Sequence, residues 1–202
     1  MSKAQESALE ELEKLFKRKG QHNQRFVTYE DLEALWTPKL EKFSGDVGLR
    51  LTPDELKQVQ KHQLRILSTL ISIGWEMLHM FRQYFLLPKC YDDKLPLSRS
   101  SPELKYLSTV RRTQFEEAQY IYIPVKLGPS GSLEVYCDRA RLPFVEKSEH
   151  IGDGSYGDVF KEVIAARHLI RAEKGSTSQR FISDVIYTLF HPKNLSNARP
   201  VG

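Results

Sequence analysis

Cysteine is nearly absent: Cys90 and Cys137 are the only two in 202 residues. That excludes a disulfide framework and a cysteine-rich zinc site, and it predicts a reducing, intracellular compartment, cytoplasmic or nuclear. Long apolar runs are also missing. The most hydrophobic stretch, residues 64–87, is interrupted by Arg65, Glu76, His79, Arg82 and Gln83. Charges at bilayer depth are costly, so no membrane span is expected. The first twenty residues hold Glu6, Glu10, Glu11 and Glu13, whereas a secretory signal needs an apolar run and a transit peptide avoids acids. No targeting segment is expected. Nor does one sign of charge dominate: 30 Lys and Arg against 26 Asp and Glu leave +4, too little and too evenly spread to argue for nucleic acid. The six histidines, His22, His62, His79, His150, His168 and His191, show no H-E-x-x-H or paired spacing, so no metal site is proposed from them.

What is present is 40% hydrophobic and 28% charged residues, enough for one ordinary domain or two small ones. Ala8, Leu9, Leu12, Leu15 and Phe16 recur at helical spacing and predict a helix over about residues 5–19, ended by Gly20. Thr28 stands three residues before Asp31 and opens a short helix through Leu32, Leu35 and Trp36, stopped by Pro38. Leu51-Thr52-Pro53-Asp54-Glu55-Leu56 is the sharpest boundary in the chain. Thr52 caps, Pro53 suits the first helical position, Glu55 completes a capping box and Leu51 staples onto Leu56. A long helix is expected from Pro53 to Pro88, with an apolar face through Leu56, Val59, Leu67, Leu70, Ile71, Trp75, Leu78 and Phe81. Gln63 interrupts that face, and Gly74 is its weak point. Asp92-Asp93 reads as a polar loop tip within a surface linker over residues 91–102, before a short helix near residues 102–110.

The period then changes. Tyr120, Tyr122 and Pro124 alternate with Ile121, Ile123 and Val125, and Gly128-Pro129-Ser130-Gly131 turns the chain toward residues 132–137, which predicts a β-hairpin. The fold class expected is α+β: a helical N-terminal region followed by an antiparallel hairpin and further strands. After Gly175, residues Phe181, Ile182, Val185, Ile186, Leu189 and Phe190 recur at helical spacing and predict an amphipathic helix.

One string stands above background: Ile151-Gly152-Asp153-Gly154-Ser155-Tyr156-Gly157-Asp158-Val159-Phe160-Lys161. It contains G-x-G-x-x-G with Val one residue beyond the third glycine. Glycines let backbone N–H groups approach anionic oxygens without a Cβ in the way. A dinucleotide fold would require a helix directly after the glycines and an acid about 20 residues on. The alternation and β-branching of residues 158–165 predict a second antiparallel strand instead.

In this strand, glycine loop, strand arrangement the sequence resembles the eukaryotic protein kinases at the nucleotide-covering loop of their small lobe. The resemblance implies that Gly152, Gly154, Ser155 and Gly157 lie over ATP phosphates, and that Ile151 and Val159 roof the adenine. The segment Ile71-Ser72-Ile73-Gly74-Trp75, a following hairpin and Leu142-Pro143-Phe144 also resemble the helical leader of kinase-domain proteins predicted in filamentous fungi. Residues 1–115 would then be a helical leader, and residues 116–202 a partial kinase-like small lobe with a divergent tail.

The resemblance stops short of the catalytic parts. No strand lysine of the V-A-I-K type, H-R-D loop or D-F-G metal site follows the glycine loop. ATP is therefore the expected ligand without magnesium ligands, no catalytic residue is assigned, and the chain is expected to be the front part of such a protein, cut short before its catalytic residues. The alternative is a helical protein-interaction module without nucleotide binding, whose partner would pack on the helix from Pro53. Neither reading involves nucleic acid or a membrane.

Overall fold

The computed structural model describes residues 2–16, 25–125, 141–144, 149–154, 157–161, 163–165, 168 and 189–192. Two compact units divide the chain, one holding the described residues up to Val125 together with residues 141–142, the other the described residues from Pro143 onward.

The first unit is helical, and its helices begin where local capping chemistry dictates. Helix α1 (Lys3–Leu15) opens with a capping box between Ser2 and Gln5, α2 (Tyr29–Trp36) with one between Thr28 and Asp31. Helix α3 (Leu40–Asp46) follows the Pro38 break. Helix α4 (Pro53–His62) starts at the expected boundary: Thr52 Oγ1 accepts from Glu55 N at 3.3 Å, and Glu55 Oε2 accepts from Thr52 N at 2.9 Å.

The single long helix expected from Pro53 is instead two helices and a series of turns. Gln63, with φ −140° and ψ 16°, ends α4 and precedes α5 (Leu64–Ser72). Its side chain explains the break. Gln63 Nε2 donates to Phe85 O at 2.9 Å and to Cys90 O at 2.7 Å, bonds that a continuous helix could not aim into the core. Helix α5 then ends at Gly74, whose φ of +63° allows Trp75 N to reach Leu70 O and Gly74 N to reach Ile71 O. This is the paired 6→1 and 5→2 closure for which glycine carries no steric penalty. Beyond it lie short 3-10 turns, a π-helical turn at Arg82–Leu86 and Pro102–Leu104 in 3-10 form.

Helix α5 is the hub. Leu64, Ile66, Leu67, Leu70 and Ile71 are buried, as are the polar Ser68 and Thr69. A helix covered all round belongs at the centre of a helical core. Ser68 and Thr69 find partners inside the unit: Trp36 Nε1 donates to Ser68 Oγ at 3.0 Å, and Thr69 Oγ1 donates to Arg65 O at 2.7 Å. The apolar stripe after Pro53 is therefore spent largely on this unit's own core, with Val59, Trp75, Leu78 and Phe81 buried beside α5.

The hairpin expected over residues 120–137 is corrected in its first half. Helix α6 (Thr109–Ala118), capped by Ser108, runs into a 3-10 turn at Gln119–Ile121. Two buried polar side chains hold that course. Gln119 accepts from Leu97 N and donates to Leu97 O, both at 2.7 Å, and the Tyr122 hydroxyl lies 2.5 Å from Ser72 Oγ while its ring packs on Phe16. Alternation of tyrosine and isoleucine cannot anticipate such contacts, which lie 22 and 50 residues away in sequence. Residues 116–125 thus belong to the helical unit rather than to a β portion, and residues 128–137 lie outside the described residues. Gly20 and residues 181–188 also lie outside them.

In the second unit, β1 (Glu149–Gly154), β2 (Gly157–Lys161) and β3 (Leu189–Pro192) form an antiparallel sheet in the order β1-β2-β3. Leu189 and Phe190 are strand residues, so the helix expected through them is corrected at its C-terminal end. Phe144 bridges Ile164 ahead of and behind the β1–β2 hairpin, Ala165 N donates to Pro143 O at 2.7 Å, and Phe144, Ile164 and Ala165 are buried.

Candidate functional site

The glycine string folds as a hairpin. Gly154 pairs with Gly157, Asp153 with Asp158, Gly152 with Val159, His150 with Phe160 and Glu149 with Lys161. Ser155 and Tyr156, between the closing glycines, lie outside the described residues. The register shifts between His150 and Gly152, so Ile151 has no opposite number on β2. Such bulges bend a strand and redirect a side chain. Ile151 is 50% exposed.

Nothing among the described residues crowds Gly152. Its φ is not left-handed, and a Cβ built there would meet nothing within 4 Å. Val159, on the central strand, pairs with Gly152 on one side and Phe190 on the other. Ile151, Gly152, Gly154, Gly157 and Val159 are thus brought together on one hairpin. Lys161 sits opposite Glu149 at the open end, roughly 14 Å of strand from Gly157 at about 3.4 Å per residue. β3 as described, Leu189–Pro192, contains no lysine. Among the described residues no group of three or more His, Cys, Asp or Glu is placed to hold a metal ion.

The helical unit contains a polar site that the local sequence conceals. Asp92 is buried, correcting its reading as a loop tip, and its carboxylate accepts from Arg65 N and Ile66 N, each at 3.0 Å. These are orphan donors of the first turn of α5, which Gln63 precedes without capping through its side chain. Burial pushes the Asp92 carboxyl up to about 6, against the lowering effect of those two bonds and of nearby Arg65. The Arg65 guanidinium lies over the Tyr29 ring at 5.4 Å, and the Tyr29 hydroxyl donates to Gln60 O at 2.9 Å. Every polar contact in this cluster ties one helix end to another, so its chemistry is structural. Burial likewise pushes the Cys90 thiol up to about 12, which leaves it without nucleophilic character at neutral pH.

A half-open cleft of about 280 Å³ lies among α1, α2 and α3, floored by Trp36 and Phe43 and bordered by Ala8, Glu11, Lys39 and Lys42. Lys39 and Lys14 both bind Glu11, at 2.7 and 2.5 Å, and hold its carboxyl down at about 2, the Lys14 bond contributing most. Glu11 and Lys39 at this rim therefore pair with each other. No helix among the described residues is long and apolar enough to cross a membrane.

Comparisons with protein-family models, curated proteins and solved structures return no match.

Proposed function

We propose that residues 149–161 are a kinase-type nucleotide loop, in which the backbone around Gly152, Gly154, Ser155 and Gly157 covers the phosphates of ATP while Ile151 and Val159 flank the base. The observation that carries this reading is Gly152. Neither a left-handed φ nor a crowded neighbour among the described residues explains a glycine there, whereas close approach of a ligand to the backbone does. The antiparallel β1–β2 pairing also favours this reading over a dinucleotide fold, in which a helix follows the glycines directly.

Binding should be weak and should not lead to phosphoryl transfer by this chain. Lys161 lies at the wrong end of the hairpin, and the sequence contains neither H-R-D nor D-F-G. Phosphoryl transfer depends on metal-bound phosphates and an oriented acceptor. Charge-assisted contacts contribute about 1.5–3 kcal/mol apiece, so losing several leaves a dissociation constant no tighter than about millimolar.

The test is titration of the whole chain with ATP, with and without magnesium, followed at the amide signals of residues 152–159. Saturable shifts in the millimolar range are expected, and Gly152→Val, whose Cβ meets nothing within 4 Å among the described residues, should abolish them without lowering the melting temperature. Absence of shifts in the unaltered chain, or identical shifts in Gly152→Val, would reject the proposal. Radiolabelled phosphate transfer above a no-protein blank, abolished by the same substitution, would reject the inactive assignment.

A further inference from the structure

The chain contains three Ser/Thr-Pro steps, Thr37-Pro38, Thr52-Pro53 and Ser101-Pro102, and they are held differently. Thr37 is in helical conformation, at φ −50° and ψ −48°, with its N–H bonded to Glu33 O. Thr52 is extended, but its hydroxyl is committed to the capping box and Asp54 and Glu55 follow it. Ser101 is extended, at φ −60° and ψ 134°, and its side chain makes no capping bond to the 3-10 turn that follows.

Ser101 also sits on a surface bridge between two buried residues. Ser98, Arg99, Ser100 and Pro102 are exposed. The bridge hangs between two buried anchors, Leu97, clamped at both its N–H and C=O by Gln119, and Leu104. Within it the Ser101 hydroxyl is held only by its neighbour: Ser98 N donates to Ser101 Oγ at 3.0 Å, and Ser98 Oγ lies 3.3 Å away. Two cations border this turn, one by sequence and one through an ion pair to Glu103. Arg99 precedes Ser101 by two residues, and Lys94 reaches Glu103 at 3.3 Å in an exposed pair that another anion can exchange.

We propose that Ser101 is a phosphorylation site for a proline-directed serine/threonine kinase, and that Arg99 and Lys94 hold the resulting phosphate. In the reaction Ser101 Oγ attacks the γ-phosphorus of ATP. The Oγ–P bond forms, the bond from phosphorus to the β,γ-bridging oxygen breaks, ADP leaves, and the hydroxyl proton passes to the base of that kinase. The phosphate brings about −1.5 to −2 charges to a turn flanked by cations. Lys94 then exchanges Glu103 for the stronger anion.

The test incubates the full chain with a purified proline-directed kinase, magnesium and radiolabelled ATP, then maps the labelled peptide. One phosphate is expected, on Ser101, with full labelling in the S98A/S100A double variant and none in Ser101→Ala. Pro102→Ala should reduce labelling to background while keeping the far-ultraviolet circular dichroism of the unaltered chain. The phosphorus-31 signal should titrate below the ordinary second phosphate pKa of about 6, and Arg99→Ala should move it back. Absence of label, or label on Ser98 or Ser100 that Pro102→Ala leaves unchanged, would overturn the site. An ordinary phosphate titration would overturn its cationic seat. The double variant keeps Pro102 and every core residue, so the site can still be rejected if Pro102→Ala fails to fold.

Discussion

Asp92 shows how much a single side chain can be worth once its surroundings are known. Its carboxyl is held near pKa 6 in the folded chain against 3.8 ordinarily, through burial. Between those pH values the folded state retains a proton that the unfolded chain has released, so this group lowers stability as pH rises from about 4 to about 7. A shift of this size corresponds to at most about 3 kcal/mol. Glu55 and Glu76 act in the opposite sense, since backbone hydrogen bonds hold their carboxyls low. The readout is therefore the difference between the unaltered chain and Asp92→Asn: urea midpoints should diverge between pH 4.5 and pH 7, Asp92→Asn gaining relative stability at the higher pH. Parallel profiles would show that Asp92 titrates as an exposed acid. Gln63 offers a companion measurement. Gln63→Leu strips donors from Phe85 O and Cys90 O inside the core and should cost about 1–3 kcal/mol in the same melts. The sequence marks Gln63 only as a polar interruption and Asp92 only as one of two adjacent acids. Their partners lie 22 to 27 residues away.

Among elements, the starts of helices were the most legible features. Thr28 with Asp31 and Thr52 with Glu55 form their capping boxes as their spacing predicts, because both partners lie within one turn. Thr52→Ala should cost about 1 kcal/mol, and indistinguishable denaturant midpoints would mean that α4 frays at that end. Helix ends were legible where a breaker marks them: Pro38 stops α2, and Gly74, read as a weak point in a longer helix, is where α5 closes. The turn after Leu86 closes in the same way but places Lys89 in the left-handed region at φ +54°, with Cys90 N on Phe85 O and Lys89 N on Leu86 O. A side chain there costs roughly 1–2 kcal/mol. Lys89→Gly should therefore raise stability, by about 1 kcal/mol after the greater entropy of an unfolded glycine is counted, and a lowered midpoint would contradict the conformation. The expected strand at residues 120–125 failed for the opposite reason. Its period-two pattern is local, but Gln119 and Tyr122 are satisfied by Leu97 and Ser72, which no local window contains.

For the whole molecule, the helical unit carries its own core, with 26 buried residues among those described, and both tryptophans, Trp36 and Trp75, lie in it. A fragment of residues 1–142 should fold alone, show mainly helical circular dichroism and unfold cooperatively by tryptophan fluorescence. A gradual, uncooperative transition would show that this unit depends on the rest of the chain. Residues 1–142 include Arg141, whose carbonyl accepts from Val125 N at 2.9 Å. The amino-acid sequence by itself determined the starts of α2 and α4, the weak point at Gly74 and the antiparallel strands around the glycine string, since each depends on residues within a few positions of one another or on the backbone freedom of a glycine. Only the tertiary structure decided that the apolar stripe after Pro53 breaks at Gln63 to supply α5 as a hub, that Asp92 closes the first turn of that hub, and that residues 119–122 coil rather than extend. In each of those cases a buried polar group had to find a partner, and the partner came from a distant part of the chain.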